Sequence, residues 1–330
     1  MTAPILEADR LCRDYRIEAW PRRTMLAAAR DVSFELRPGS VVALVGESGS
    51  GKSTVARLLA GQERASGGTI RLDGTPVDVR RGRDYRDYKR HVQMVFQDPF
   101  ASLNPTHTVG YHLERPLRLR GVPRAETRTE LHRLLDQVRL SPPGQYLRTY
   151  PHELSGGQRQ RVALARALAA EPRVLLADEP VSMLDVSIRL EILTLLDTLR
   201  RQLNLAVLYI THDIASARYF ADEILIMYSG EIVERGPAER VTQHPAHPYT
   251  QLLIESAPDP EAFGHARGAA APPAAADGRA IAAPSRQGCA FSARCPLADD
   301  RCRQQTPPPV SVASSHLAAC WRLETSVSRT

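Results

Sequence analysis

Residues 41–54 read Val-Val-Ala-Leu-Val-Gly-Glu-Ser-Gly-Ser-Gly-Lys-Ser-Thr, an apolar run that enters a glycine-rich turn and continues into the helix-forming stretch STVARLLAG. A segment apolar at every position suits a parallel strand buried on both faces. The turn after it fits the pattern G-x-x-x-x-G-K-[ST], in which glycines let backbone N–H groups and a helix N-terminus wrap around phosphates. Gly46, Glu47, Ser48, Gly49, Ser50, Gly51, Lys52, Ser53 and Thr54 are therefore expected to bind a nucleoside triphosphate. Lys52 would reach the β- and γ-phosphates and the Ser53 hydroxyl a magnesium ion.

Working outward, the segment RVLLADEP at 173–180 supplies the partner such a loop needs. Its apolar residues bury a second strand, Asp178 at the end can hold Mg²⁺ through water, and Glu179 can polarise an attacking water. Other strand patterns are VSFEL (32–36), VQMVF (92–96) and AVLYITHD (206–213), with helical patterns at 124–140, 158–170 and 187–202. Strands alternating with helices predict an α/β domain built on a mostly parallel sheet. EILIMYSGEIVERG (223–236) reads as a hairpin turned at Ser229-Gly230. Residues 257–288, rich in Ala, Pro and Gly, read as a flexible linker.

Composition excludes several classes. The chain has 330 residues, 43% hydrophobic and 24% charged, which suits a folded core and argues against a disordered or fibrous protein. The sequence shows no apolar run long enough to span a bilayer and no secretory signal at its start, so the expectation is a soluble cytoplasmic chain. A net charge of +6 raises the question of nucleic acid, but the positive charge is almost all arginine, with Lys52 and Lys89 the two lysines, and acids lie between the arginines. The densest cluster, RRGRDYRDYKR (80–90), reads first as a solvated face and second as a phosphate-facing patch.

Leu154-Ser155-Gly156-Gly157-Gln158, opening the helix RQRVALARALA, resembles the signature of ATP-binding cassette (ABC) proteins. Ser155 and the two glycines make another helix-N-terminal anion site, which makes sense if two chains sandwich ATP and each signature covers the other's phosphate loop. Further segments match that family in order. Gln97 in VFQDP resembles the glutamine that contacts Mg²⁺ and the attacking water and links to the membrane subunit. Ser182, Leu184 and Asp185 resemble the loop that communicates across the dimer, although the family more often has Ala where Met183 stands. His212 in ITHD resembles the switch histidine on the γ-phosphate, and Tyr15, with Trp20 as a rival, the aromatic that stacks on adenine. FQDPFASLNPTHTVG (96–110), DVSI and HPAHPYTQLL (244–253) narrow the resemblance to the peptide/nickel class of importer ATPases.

The resemblance implies a P-loop NTPase (RecA-like) core over 1–102 and 171–236, a helical signature subdomain over 103–170, and a small cysteine-rich extension over 237–330. It implies an ATPase at the cytoplasmic face of a bacterial inner membrane. The implied partners are a paralogous ATPase subunit (or a second copy), two transmembrane permeases and a solute-binding protein; the solute would be peptide, or nickel, glutathione or another small molecule. A nucleic-acid-associated cassette is the reading from a different class, and no nucleic acid is expected. A non-hydrolysing binding module conflicts with Glu179 and His212.

Four of the five cysteines, Cys289, Cys295, Cys302 and Cys320, lie near the C-terminus. In a cytosolic chain they suggest a metal site before a disulfide framework, and Cys₄ suits either Zn²⁺ or an iron–sulfur cluster. The resemblance to peptide-importer ATPases tips the expectation to one [4Fe–4S] cluster that staples the extension.

Overall fold

The computed structural model describes residues 2–19, 22–78, 82–98, 102–256 and 288–323. Trp20 and the linker expected at 257–288, except its last residue, lie outside the described residues.

The chain opens with β1 (Leu6–Ala19) and β2 (Arg22–Leu36), then β3 (Val41–Val45), α1 (Lys52–Leu59), β4 (Gly67–Leu72), β5 (Thr75–Pro76), α2 (Arg83–His91) and β6 (Val92–Val95). Helices α3 (Val109–Arg120), α4 (Arg124–Gln137), α5 (Pro143–Tyr146) and α6 (Gly156–Leu168) follow. The core resumes with β7 (Val174–Asp178), α7 (Val186–Leu203), β8 (Ala206–Thr211), α8 (Ile214–Phe220), β9 (Glu223–Tyr228) and β10 (Glu231–Pro237). The last elements are α9 (Ala238–Gln243), α10 (Pro248–Glu255), α11 (Asp300–Gln304), β11 (Val310–Ala313) and β12 (His316–Ala318).

One sheet runs β11-β12-β10-β9-β3-β8-β7-β6, and its members from β9 to β6 are parallel. Neighbouring side chains on a strand point to opposite faces, so a parallel strand that is apolar throughout needs cover on both. Val41, Ala43, Val45, Leu175, Ala177 and Val207 join a core closed by α6 and α7. Val42, Leu44, Val174, Leu176, Leu208 and Ile210 face the other way, onto α1 and a second, antiparallel sheet ordered β2-β1-β4-β5. That second sheet is built around a hairpin far longer than VSFEL alone suggests. The expected hairpin at 223–236 is present as β9 and β10, with Ser229 and Gly230 both at positive φ (47° and 89°), as a primed turn requires.

The basic cluster at 80–90 departs from a purely solvated face. On α2, Tyr88 is buried and donates to the Leu59 carbonyl, Tyr85 donates to Gly61 O at 3.0 Å, and Lys89 Nζ donates to Ala60 O at 2.8 Å. These groups satisfy carbonyls at the C-terminal end of α1, which have no partner within their own helix, and Lys89 suits the negative end of its dipole.

The C-terminal extension is continuous with the core: β12 pairs with β10, so the large sheet runs across position 237 into residues 310–318. A buried carboxylate makes the join. Glu234 on β10 accepts from Ala246 N and His247 N, both at 2.8 Å, and pairs with His316 Nε2 at 2.7 Å, with both side chains almost wholly buried. His247 Nδ1 in turn accepts from Tyr249 N at 3.1 Å, capping α10, and burial lowers its pKa to about 4, which keeps the ring neutral and able to accept.

Removing Glu234 would strand two buried partners, His247 N and His316 Nε2, and the part-buried Ala246 N. Glu234→Ala is therefore expected to cost about 3–5 kcal/mol, against no more than about 0.5 kcal/mol for an ordinary surface substitution. Urea unfolding of the full-length variant checks this; a loss below about 1 kcal/mol would show that the extension is held elsewhere.

Candidate functional site

The strand β3, the glycine turn and α1 form the floor of a cleft of about 720 Å³. Glycine is required where the turn touches its surroundings. A Cβ at Gly46 would lie 2.2 Å from Met227 O, and one at Gly51, whose φ is 106°, would lie 2.0 Å from Ala28 O. Lys52, the first residue of α1, turns back under the loop and donates to Gly46 O at 2.7 Å and Glu47 O at 2.8 Å. Burial lowers its pKa, while Glu179, Asp178 and Glu47 pull the other way.

Asp178 ends β7 beside this helix, and Ser53 Oγ donates to its Oδ1 at 3.1 Å. Burial raises the Asp178 pKa, opposed by the Ser53 hydrogen bond and reinforced by Glu179. The next residue, Glu179, has a left-handed backbone (φ 46°), a conformation that costs a residue with a Cβ of order 1 kcal/mol, and its N–H donates to Ile210 O at 2.9 Å. That turn directs the carboxylate into the cleft rather than along the strand. One of its oxygens, Oε2, is met by Gln97 Nε2 at 3.0 Å and His212 Nδ1 at 3.2 Å. The structure thus gathers Lys52, Ser53, Gln97, Glu179 and His212 around one cleft, with Asp178 bonded to Ser53 at its edge.

Tyr15 also lines the cleft. Its hydroxyl donates to Glu63 and the Arg13 guanidinium lies 4.6 Å from its ring centroid, so one face already has a cationic cover. Gly46, Ser50 and Asp178 sit just beneath the surface, behind the lining formed by Glu47, Ser48, Gly49, Gly51, Lys52, Ser53 and Thr54.

Leu154, Ser155, Gly156, Gly157 and Gln158 lie outside this lining among the described residues. Ser155 caps α6: its Oγ accepts from Gln158 N at 3.3 Å, and Gln158 Oε1 accepts from Ser155 N at 2.9 Å, a reciprocal capping box. The two glycines are explained within the chain as well. A Cβ at Gly156 would meet Leu184 Cδ2 at 3.2 Å and one at Gly157 would meet Ile188 Cγ2 at 2.8 Å, so the signature lies flat against the loop and helix that follow Glu179. Ser182 Oγ donates to Glu179 O at 3.0 Å, and Asp185 stands at the N-cap position of α7 without a side-chain capping hydrogen bond. Met183 is 62% exposed, so the departure from Ala costs no packing.

The four C-terminal cysteines are free thiols that line one small cavity with Phe291 and Trp321. Burial pushes the Cys289 thiol up to about 11 and also raises Cys302 and Cys320; a bound cation would reverse this by favouring thiolates. Among the described residues no group of three or more Cys, His, Asp or Glu side chains is placed where it could hold a metal ion, so the structure does not support the expected cluster. The expected cluster site is thus a convergence of donors rather than a formed coordination shell. At the nucleotide cleft, the oxygen donors of Ser53, Asp178 and Gln97 are of the hard type that suits Mg²⁺.

Sequence reasoning missed two contacts that bear on the cleft. Arg294 forms a bidentate pair with Glu47 (2.7 and 2.9 Å), and Glu47 N donates to Tyr249 Oη at 2.9 Å. HPYT at 247–250 was a visible signal for Tyr249; nothing local marks Arg294 as a neighbour of a loop 247 residues away.

Residues 29–182 match the ABC transporter family and residues 233–302 the oligopeptide/dipeptide transporter C-terminal region. The di/tripeptide transport ATP-binding protein DppF of Pseudomonas aeruginosa is 40% identical, over 97% of this chain and 98% of its own length. The chain belongs to the ABC transporter family. Its fold resembles that of cbiO1 from Clostridium perfringens, part of the ABC transporter complex cbiONQ (TM-score 0.64, 28% identity, 73% of this chain and 91% of that one). A dimeric post-hydrolysis structure of the ATP-binding cassette MJ0796 with ADP and Pi is also similar (TM-score 0.62, 27% identity, 71% and 98%). This ABC chain is accordingly an ATPase. Among the described residues no helix is long and apolar enough to cross a membrane.

Glu179→Gln keeps the shape and the contacts of residue 179 but removes the carboxylate. Hydrolysis in the assembled transporter should fall by at least about a hundredfold with ATP affinity retained. Turnover and equilibrium ATP binding, measured on the same preparation, check this; unchanged turnover would contradict it.

Proposed function

We propose that this chain is the ATP-hydrolysing subunit of a multi-subunit importer of di- and oligopeptides, bound peripherally to permeases at the cytoplasmic face of the inner membrane. The observation that carries the reading is the gathering of Lys52, Gln97, Glu179 and His212 about one cleft, in a chain whose similarity to a di/tripeptide transport protein extends through the C-terminal extension.

In this reading the amides of the loop and the buried Lys52 take the phosphate charge. The anionic phosphates relieve what burial imposes on the ammonium, so the same burial that lowers its pKa strengthens its hold on them. Ser53 and Gln97, with Asp178 behind Ser53, would hold Mg²⁺, which supplies charge neutralisation when bound. Glu179 orients water and receives its proton, and His212 turns between the carboxylate and the γ-phosphate. Tyr15 supports adenine on its open face.

Ser155 and the glycines after it lie outside the cleft, which supports their use on a partner's nucleotide. Met183, Val186 and Leu190 leave an exposed apolar strip beside Ser182, Leu184 and Asp185, of the kind an interface covers, and a similar cassette is dimeric. The partner is proposed to be a paralogous ATPase, with a second copy as the alternative. Gln97 and the segment to Pro105 are proposed to meet a permease, and Pro99, Phe100 and Ala101 lie outside the described residues. Helices α2 and α3 flank an open groove of about 920 Å³ where Leu119 is 80% exposed. A solute-binding protein acts through the permeases. Nothing in the cleft touches solute, so peptide is favoured over nickel or glutathione by similarity alone.

Cys289, Cys295, Cys302 and Cys320 are proposed to bind one [4Fe–4S] cluster, on the resemblance and on the four thiols that line one cavity. The cluster would serve as a staple, with no part in hydrolysis.

Proteoliposomes holding this chain, its partner ATPase and the permeases should take up di- or tripeptide with ATP and the binding protein. Uptake of nickel or glutathione without peptide would overturn the substrate, and salt-dependent binding to DNA the importer reading. Anaerobically purified protein should contain iron and acid-labile sulfide, both lost in Cys295→Ser. Stoichiometric zinc, or protein free of metal, would overturn the cluster.

A further inference from the structure

We infer that Arg294 and Tyr249 are positioning residues for the phosphate loop, so that ATP affinity depends on a clamp supplied by the C-terminal extension. The inference rests on the reading of residues 46–54 as the nucleotide site.

Glu47 is held at both ends by the extension. Its carboxylate takes two hydrogen bonds from the Arg294 fork, Nη1 to Oε2 at 2.7 Å and Nη2 to Oε1 at 2.9 Å. Its backbone N–H donates to Tyr249 Oη at 2.9 Å, which draws that amide away from the cleft. The same residue's carbonyl accepts from Lys52 Nζ at 2.8 Å. Three hydrogen-bonding groups of one residue therefore link the extension to the ammonium that faces the phosphates. The loop has no slack on its other side, because the backbone of Gly46 already abuts Met227 O.

The clamp is itself rigidly mounted. Arg294 N and Cys295 N both donate to Phe291 O at 3.0 Å, and Phe291 is buried. The guanidinium lies 5.8 Å from the ring centroids of both Phe291 and Tyr228. Tyr228 meets Tyr249 edge-on at 4.6 Å and Phe291 at 5.2 Å, closing an aromatic cluster shared by β9, α10 and the turn after Cys289. A fork fixed by aromatic faces and matched to a carboxylate is a geometry that lysine cannot copy.

The pair is nearly half exposed on each side, at 46% and 41%, so its effect is a tuning of affinity and not an on–off switch. In the full-length chain with Mg²⁺, titration with a fluorescent ATP analogue should show Arg294→Ala weakening binding about fivefold, at the upper end for a bidentate pair. In a Glu47→Ala background the same change should have under about a 1.5-fold effect, because its target is gone. Arg294→Lys should recover only part of the affinity, and it gives the same comparison if Arg294→Ala unfolds. Equal weakening in both backgrounds would overturn the clamp, since general damage to the extension, or direct attraction of Arg294 for ATP, takes no account of residue 47. Lys52→Ala, run alongside, separates the two failures. If it abolishes binding while the cycle is additive, the clamp alone is wrong; if it binds normally, the nucleotide site itself is wrong.

Discussion

Everything in this molecule is arranged around a loop that has no room for a side chain at Gly46 or Gly51. The backbone of residues 46–51 passes within contact of β2 at Ala28 and of β9 at Met227, and Gly230 N donates to Ser50 O at 2.8 Å. A Cβ at Gly46 or Gly51 would drive these pieces apart, and repulsion at near 2 Å exceeds anything a hydrogen bond returns. The loop is thus where both sheets meet, and its glycines serve the packing of the fold as much as the approach of phosphate. The carboxylates then follow from topology. β8 lies next to β3 and β7 next to β8, all parallel, so the residues that end them, Asp178, Glu179 and His212, come out on the same edge as the loop.

The two lysines of a chain otherwise furnished with arginine mark the ends of the helix that leaves this loop. Lys52 inserts a compact ammonium among carbonyls of the loop, and Lys89 places another on Ala60 O where α1 stops. A planar guanidinium suits a carboxylate or a flat contact; three tetrahedral donors on a thin stem suit a ring of carbonyls. Arg294 against Glu47 and Arg173 against Asp73 show the other half of the same rule.

What could be read in the sequence was whatever rests on local pattern. Apolar runs ending in Gly46 and Asp178 pointed to the parallel sheet, and Leu154–Gln158 to the helix that the structure opens at Gly156. Residues whose position depends on distant contacts were not legible. The β1–β2 hairpin extends well past VSFEL through cross-strand pairing that runs out to Ala19 and Arg22. The extension, read as a separate unit short of apolar residues, contributes strands to the main sheet, because Phe291, Tyr249 and the Glu234–His316 pair fill its junction with the core. Isolated aromatic and charged residues carry no periodic signal, and Arg294 meets Glu47 only after the chain has folded. The cysteines were legible as a cluster, and the folded chain does bring them to one cavity; their spacing says nothing of what they hold.

The central claim is that the phosphate loop is held jointly by the core and the extension, so that nucleotide binding at one is felt at the other. Amide hydrogen exchange of the full-length chain, with and without MgATP, measures this directly. Exchange should slow at residues 46–54 together with 247–249 and 289–295, which are tied to Glu47 by the hydrogen bonds of Tyr249 and Arg294. Protection confined to 46–54, with the extension exchanging at an unchanged rate, would contradict it.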